Sequence, residues 1–368
     1  MRSRSRRASR GYDTTEQHRL MPYRHGLLGS VPTHLMVFMA LVWGSTRAAA
    51  EMPLGADEVE PSFTATDAVS SSVRPYVLAS LELKITEPSL RGVYRLAFSP
   101  NERYVAARDR EQRIHVCRTN SGRSWAVFHK HESAINTLVF SPDSRVLVSA
   151  ADDAPGSLVL WDVESRVLRR QIGLPASFAR FTSERQLLVV TPNDLRQIDV
   201  QSGIETNAVE NLIPNQALPI AISHSGRQLV LYRPNRADTQ QFPLVLYAID
   251  DSASPNSFYV PFAPRMVQFS PDDRLLAVSG QRSSDIFLAE TQSPENFVLL
   301  QGIAEPVQQI AFSPDGRFLI AGGFDGAVQI WELLTRRLVA RHELYRDHIN
   351  ALAISETSRM LATGVAGE

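Results

Sequence analysis

The chain has 368 residues, 43% of them apolar and 8% aromatic, the composition of an ordinary folded globular protein. Its formal charge of −1 is unevenly placed: residues 1–50 carry eight Arg against two acids, which leaves 30 bases against 37 acids beyond them. Nothing in that balance suggests a phosphate-binding surface or a nucleic-acid partner, and the single cysteine, Cys117, excludes an intrachain disulfide and a Cys-based zinc cluster.

In chain order, the first feature is Leu35–Trp43, nine uncharged residues reading Leu-Met-Val-Phe-Met-Ala-Leu-Val-Trp. A spanning helix needs about 20 apolar residues, whereas the core of an export signal needs fewer. Arg19 and Arg24 lie upstream with no acid after Glu16, and Ala48-Ala49-Ala50 offers an Ala-x-Ala cleavage site before Glu51. The segment 1–50 therefore reads as a signal peptide, with Met21 as a possible true start. Cleavage would leave no stable membrane span and an exported protein, periplasmic or extracellular. Residues 51–74 hold Asp57, Glu58, Glu60, Asp67 and Ser70-Ser71-Ser72 with few large apolar residues, and read as a flexible linker.

From there to the end runs one repeated phrase: apolar residues, then Ser or Thr, then a turn. Its anchors are Phe98-Ser99, Phe140-Ser141, Phe181-Thr182, Ile222-Ser223, Phe269-Ser270, Phe312-Ser313 and Ile354-Ser355, advancing by 42, 41, 41, 47, 43 and 42 residues. That period is the length of one four-stranded propeller blade. The expected fold is all-β over residues 75–368: a seven-bladed β-propeller of four-stranded antiparallel blades. The second repeat shows the unit. Ile135–Phe140 alternates, Ser141-Pro142-Asp143-Ser144 turns, Val146–Ser149 is a second strand, Ser157–Asp162 a third and Val167–Ile172 an outer one.

The series His131 … Ser149 … Asp153 … Trp161-Asp162 resembles the WD-repeat family of β-propellers. The resemblance implies a buried hydrogen-bonded tetrad of His131, Ser149, Asp153 and Trp161. The sixth repeat keeps Asp325 and Trp331-Glu332 but has Ile303 and Ala321 at the His and Ser positions. The Trp position holds Cys117, Ile198, Tyr247 and Leu288 in repeats one, three, four and five. The Ser-Pro-Asp-Gly turn is shared with exported propellers similar to the Tol-associated periplasmic family; Trp161-Asp162 and Trp331-Glu332 favour the WD family.

The seventh repeat supplies Ile349–Ser355 and Met360–Thr363 and no third strand. The last blade is thus expected to be incomplete, as in a truncated copy of a longer protein, or closed by an N-terminal strand. Tyr76–Ile85 is the candidate for its outer strand.

Chemistry-bearing patterns are few. No Gly-x-Ser-x-Gly elbow or phosphate-cradling Gly-rich loop occurs. His129-x-His131 reads as the tetrad His and a neighbour rather than a metal pair, and Asp152-Asp153 as a turn Asp and the tetrad Asp rather than an acid/base couple. No catalytic residue, metal site or cofactor is expected. The WD resemblance implies that a protein or peptide partner docks on the top face, through Tyr94, Asn136, Asp152, Arg265, Gln308, Phe324, His348 and Asn350. The expected function is a non-catalytic protein-interaction scaffold; the alternative is a substrate-binding or accessory propeller of an envelope enzyme whose catalytic part lies outside this chain.

Overall fold

The computed structural model describes residues 35–41, 78–85, 90, 92–151, 158–214, 216–234, 242–249, 255–301, 305–357 and 360–366. The cleavage site at Ala48–Ala50, the linker 51–74, Asp152, Asp153 and Ile303 lie outside them. The described residues form strands and turns without a helix, so none contains a helix long and apolar enough to cross a membrane, which says nothing of β-barrels.

Six antiparallel sheets are each made of four consecutive strands. They are blade 1 (95–128), blade 2 (135–172), blade 3 (178–209), blade 4 (218–260), blade 5 (264–300) and blade 6 (307–343). The expected count of seven blades is corrected here: six sheets are built from consecutive strands of one repeat. The seventh repeat supplies two strands, Ile349–Ile354 and Met360–Val365, and these join two strands from the N-terminal part. Leu35–Leu41 pairs with Met360–Val365, and Leu78–Ile85 pairs outside it. The outer strand is thus the one anticipated at Tyr76–Ile85. The third comes from the apolar run read as a signal core, because a short apolar stretch has the same pattern in an export signal and in a buried strand.

The anchors mark a staple. Ser99, Ser141, Ser223, Ser270, Ser313 and Ser355 are fully buried. Each Oγ accepts the backbone N–H five residues on, at 2.8–3.1 Å. Four of them also donate to Asn101, Asp143, Asp272 or Asp315 two residues on, at 2.5–2.8 Å. The side chain thus satisfies the turn's own polar groups where water cannot. The residue three places after the anchor has positive φ in five repeats: Glu102, Ser144, Gly226, Asp273 and Gly316.

The apolar core lies between neighbouring sheets, which is why the repeat is the unit of stability. Blades 1 and 2 share Ile114, Phe128, Phe140 and Trp161; blades 5 and 6 share Leu288, Leu300, Ile310 and Trp331. The last repeat packs on both sides. Ile349 and Leu361 meet Phe318 and Ile330 of blade 6, while Met360 and Ala362 meet Val105 and Cys117 of blade 1. Val93 N donates to Val365 O at 2.8 Å, and Thr357 N donates to Glu102 Oε1 at 2.9 Å.

Candidate functional site

The innermost strands, beginning at Arg95, Ile135, Phe178, Leu218, Pro264, Val307 and Ile349, surround the central channel. Two connected features stand out: the rim where these strands begin, and the channel itself.

At the rim, four inner strands carry a β-bulge at their second residue. Pairing skips from Ile135 to Thr137, Pro264 to Met266, Val307 to Gln309 and Ile349 to Ala351. The positions the ladder skips are Asn136, Arg265, Gln308 and Asn350, all four of them anticipated top-face residues. A bulge frees one residue from the ladder and re-aims its side chain. Arg265 is exposed, and its Nε donates to Gln308 O at 3.3 Å. Gln308 is buried, and its Oε1 has no partner among the described residues. Asn136 and Arg265 line the same cavity.

Two further residues of that set, Phe324 and His348, form a second group with Asn350. Phe324 packs on the His348 ring with centroids 4.7 Å apart, His348 Nδ1 lies 3.2 Å from Phe324 O, and Asn350 Nδ2 reaches His348 O at 3.5 Å. Tyr94 stands apart from both groups, beneath the Arg108 guanidinium at 5.0 Å. Burial, then the neighbouring Arg95 charge, lowers the Arg108 pKa to about 10.

The structure brings three of the four tetrad residues together. His131 Nε2 lies 2.7 Å from Ser149 Oγ, and Trp161 Nε1 donates to the same oxygen at 2.9 Å. All three are buried, and Trp161 stacks on Phe128 at 4.6 Å. In blade 6, Ala321 offers Trp331 no hydroxyl.

Sequence reasoning missed how other blades use the turn Asp. Asp109 and His115 are fully buried and bonded at 2.9 Å, with Arg113 Nε on the same carboxylate at 2.8 Å. Burial pushes the Asp109 pKa up, but hydrogen bonds from His115 and Arg113 outweigh it and hold it below the usual value. Asp194 pairs with Arg196 at 2.9 Å and Asp325 with Arg341 at 3.0 Å. Asp153, Asp194 and Asp325 each fall 12 residues after their anchor Ser or Thr, a regularity visible in the sequence; Asp109 falls 10 after its own.

The channel holds a cavity of about 700 Å³ lined by Arg95, Arg180, Arg265, Asn136 and Gln268 among others, with Glu356 the one acid. A smaller space of about 240 Å³ continues past Arg95 to His224 and Gln309. Burial, then the charge of Arg180, lowers the His224 pKa to about 4, against the pull of Asp273. No group of three or more His, Cys, Asp or Glu suited to a metal ion occurs among the described residues.

This is the architecture of a β-propeller. Residues 298–332 match the family profile described as WD domain, G-beta repeat, and residues 96–177 match that of the Anaphase-promoting complex subunit 4 WD40 domain. Apoptotic protease-activating factor 1 of Danio rerio is 22% identical over 77% of this chain and 22% of its own length. WD repeat-containing protein 55 of Arabidopsis thaliana is 25% identical over 55% of this chain and 56% of its own. Nuclear distribution protein PAC1 of Arthroderma otae is 24% identical over 63% and 44%. The chain thus spans between about a fifth and just over half of the length of these relatives. The resemblance to the WD-repeat family is thereby shown, and it implies a protein-interaction scaffold. Propellers of this family are generally non-catalytic scaffolds.

Proposed function

We propose that this chain is a non-catalytic scaffold that binds a protein or peptide partner on the top rim of a ring in which the composite sheet acts as the seventh blade. One observation carries the reading: Asn136, Arg265, Gln308 and Asn350 are each the bulged second residue of an inner strand. Bulges at corresponding places on four strands make a presented surface, and Arg with aromatic neighbours supplies the usual anchors of an interface. Affinity capture on the intact protein should recover a specific partner, and the combined Tyr94→Ala, Arg265→Ala, Phe324→Ala variant should release it with its melting temperature nearly unchanged. Retained binding by a folded variant would overturn the assignment of the face.

Residues 35–41 carry a second reading, which excludes the first at that segment. The apolar run followed by Ala48-Ala49-Ala50 supports export with cleavage after Ala50; the pairing of Leu35–Leu41 with Met360–Val365 supports a strand retained in the ring. Sequencing the N-terminus of the mature protein decides between them: a start at Glu51 means export and cleavage, and a chain that keeps Leu35–Leu41 means ring closure. A role as accessory propeller to an envelope enzyme would require a catalytic domain encoded in the same frame beyond this chain.

A further inference from the structure

The net charge hides a local imbalance in the channel. Three arginines, Arg95, Arg180 and Arg265, line one cavity of about 700 Å³ with a single acidic residue, Glu356. They come from three different blades, 1, 3 and 5. Elsewhere in the fold Arg113, Arg196 and Arg341 each hold a carboxylate at 2.6–3.0 Å, while half-buried Arg108 bonds the neutral Gln112 at 2.8 Å. The guanidiniums of Arg95 and Arg180 make no ion pair or hydrogen bond with any described residue. Burial disfavours the charged form of both; Arg180 feels Asp273 and Glu356 at longer range, while nothing offsets the burial of Arg95. Arg95 instead adds to the strain on Arg108. A protein keeps unmatched charge in a confined space at a cost, and a channel walled by low-dielectric protein concentrates that charge on whatever enters.

We propose that the central channel is a binding site for a small multivalent oxyanion, which Arg95 and Arg180 hold from the inner strands of blades 1 and 3. Guanidinium forks bind phosphate and carboxylate oxygens two at a time, and Gln268 and Gln309 beside them supply neutral donors. Because the two arginines stand on separate inner strands, a ligand with at least two anionic groups can engage both. Tripolyphosphate and citrate represent the two sources of such oxygens.

The test is titration calorimetry of the intact protein with tripolyphosphate and with citrate, at low and at physiological salt. Binding of either is expected, weakening as salt rises, with at least a tenfold loss in Arg95→Gln and in Arg180→Gln and none in the exposed control Arg336→Gln. The stronger anion identifies the source. The absence of millimolar or tighter binding by both anions, or equal binding by wild type and both channel variants, would overturn the site. Phenylglyoxal labelling of the wild type gives a measurement free of folding effects: tripolyphosphate or citrate should protect Arg95 and Arg180 but not Arg336, and equal labelling with and without anion refutes the proposal. Arg265 is left unchanged in these tests, so their failure leaves the rim assignment standing.

Discussion

Ser149→Ala is the sharpest perturbation of the polar centre of blade 2. The hydroxyl accepts the Trp161 N–H at 2.9 Å and lies 2.7 Å from His131 Nε2, and all three groups are buried. Removing it leaves two buried polar atoms short of a partner, each costing about 1–3 kcal/mol. The indole cannot swing to find another acceptor, because its ring is stacked on Phe128. The expected loss is therefore about 2–6 kcal/mol, and a small hydrophobic gain from the alanine does not reverse it. Adjacent blades form separate packing units, so a single global free energy is a poor readout. The useful assays are the melting temperature and amide exchange along Leu158–Asp162. Trp161→Phe, alone and combined with Ser149→Ala, completes a cycle that should show coupling of about 1 kcal/mol. Wild-type exchange in that strand and a melting temperature unchanged within about 1 °C would refute the reasoning, since even 1 kcal/mol moves a domain of 150–250 residues by about 2–4 °C.

Gly326→Ala should be among the most damaging single changes in blade 6: φ is +71°, and a Cβ would lie 2.2 Å from Tyr345 O and 2.7 Å from Asp347 O. Backbone has to move, so a loss above about 2 kcal/mol is expected in thermal unfolding. His224 makes stability pH-dependent. Its folded pKa of about 4 lies below the ordinary value of 6.5, so between the two the unfolded chain binds the proton that the folded chain refuses, and stability falls as pH drops from about 7 to 4. His224→Asn should flatten that slope relative to wild type in urea unfolding at stepped pH; identical slopes would mean that the imidazole is solvated.

How much was legible depended on whether a feature repeats. The anchors occur seven times, and a Ser that staples its own turn leaves the same trace each time, so the blades and their turns could be read directly. Asn136, Arg265, Gln308 and Asn350 share one offset from their anchors, although the bulge at each leaves no mark in composition. Leu35–Leu41 could not be assigned as a strand, because its partner Met360–Val365 lies more than 300 residues away and its apolar pattern suits export equally well. The Asp109–His115 pair escaped because the shorter turn in blade 1 shifts the Asp off the common spacing. The channel arginines were invisible for another reason: net charge averages over the chain, whereas Arg95 and Arg180 matter only once the ring brings their strands round one space.

The left-handed residues after the anchors show how turn chemistry and ring closure are joined. Glycine is the residue that conformation prefers, yet only Gly226 and Gly316 occupy it among the five. The others reach a neighbouring turn. Ser144 Oγ accepts Asn101 N at 3.0 Å, Glu102 Oε1 accepts Thr357 N at 2.9 Å, and Asp273 accepts His224 N at 2.6 Å and Ser225 N at 2.8 Å. Each clasp ties one repeat to the next, and Glu102 ties the last repeat to the first blade. For Asp273→Gly the two effects oppose each other. Relief of the left-handed backbone is worth about 1 kcal/mol, whereas two hydrogen bonds to a carboxylate are worth about 1.5–3 kcal/mol each. The clasp should win, with a net loss of about 2 kcal/mol or more. Arg336, also left-handed at φ 56° but exposed, has no such clasp among the described residues, and Arg336→Gly should be neutral or slightly stabilising. If thermal unfolding found Asp273→Gly as harmless as Arg336→Gly, the side chains at these turns would be incidental and the strain in the backbone would have no purpose in closing the ring.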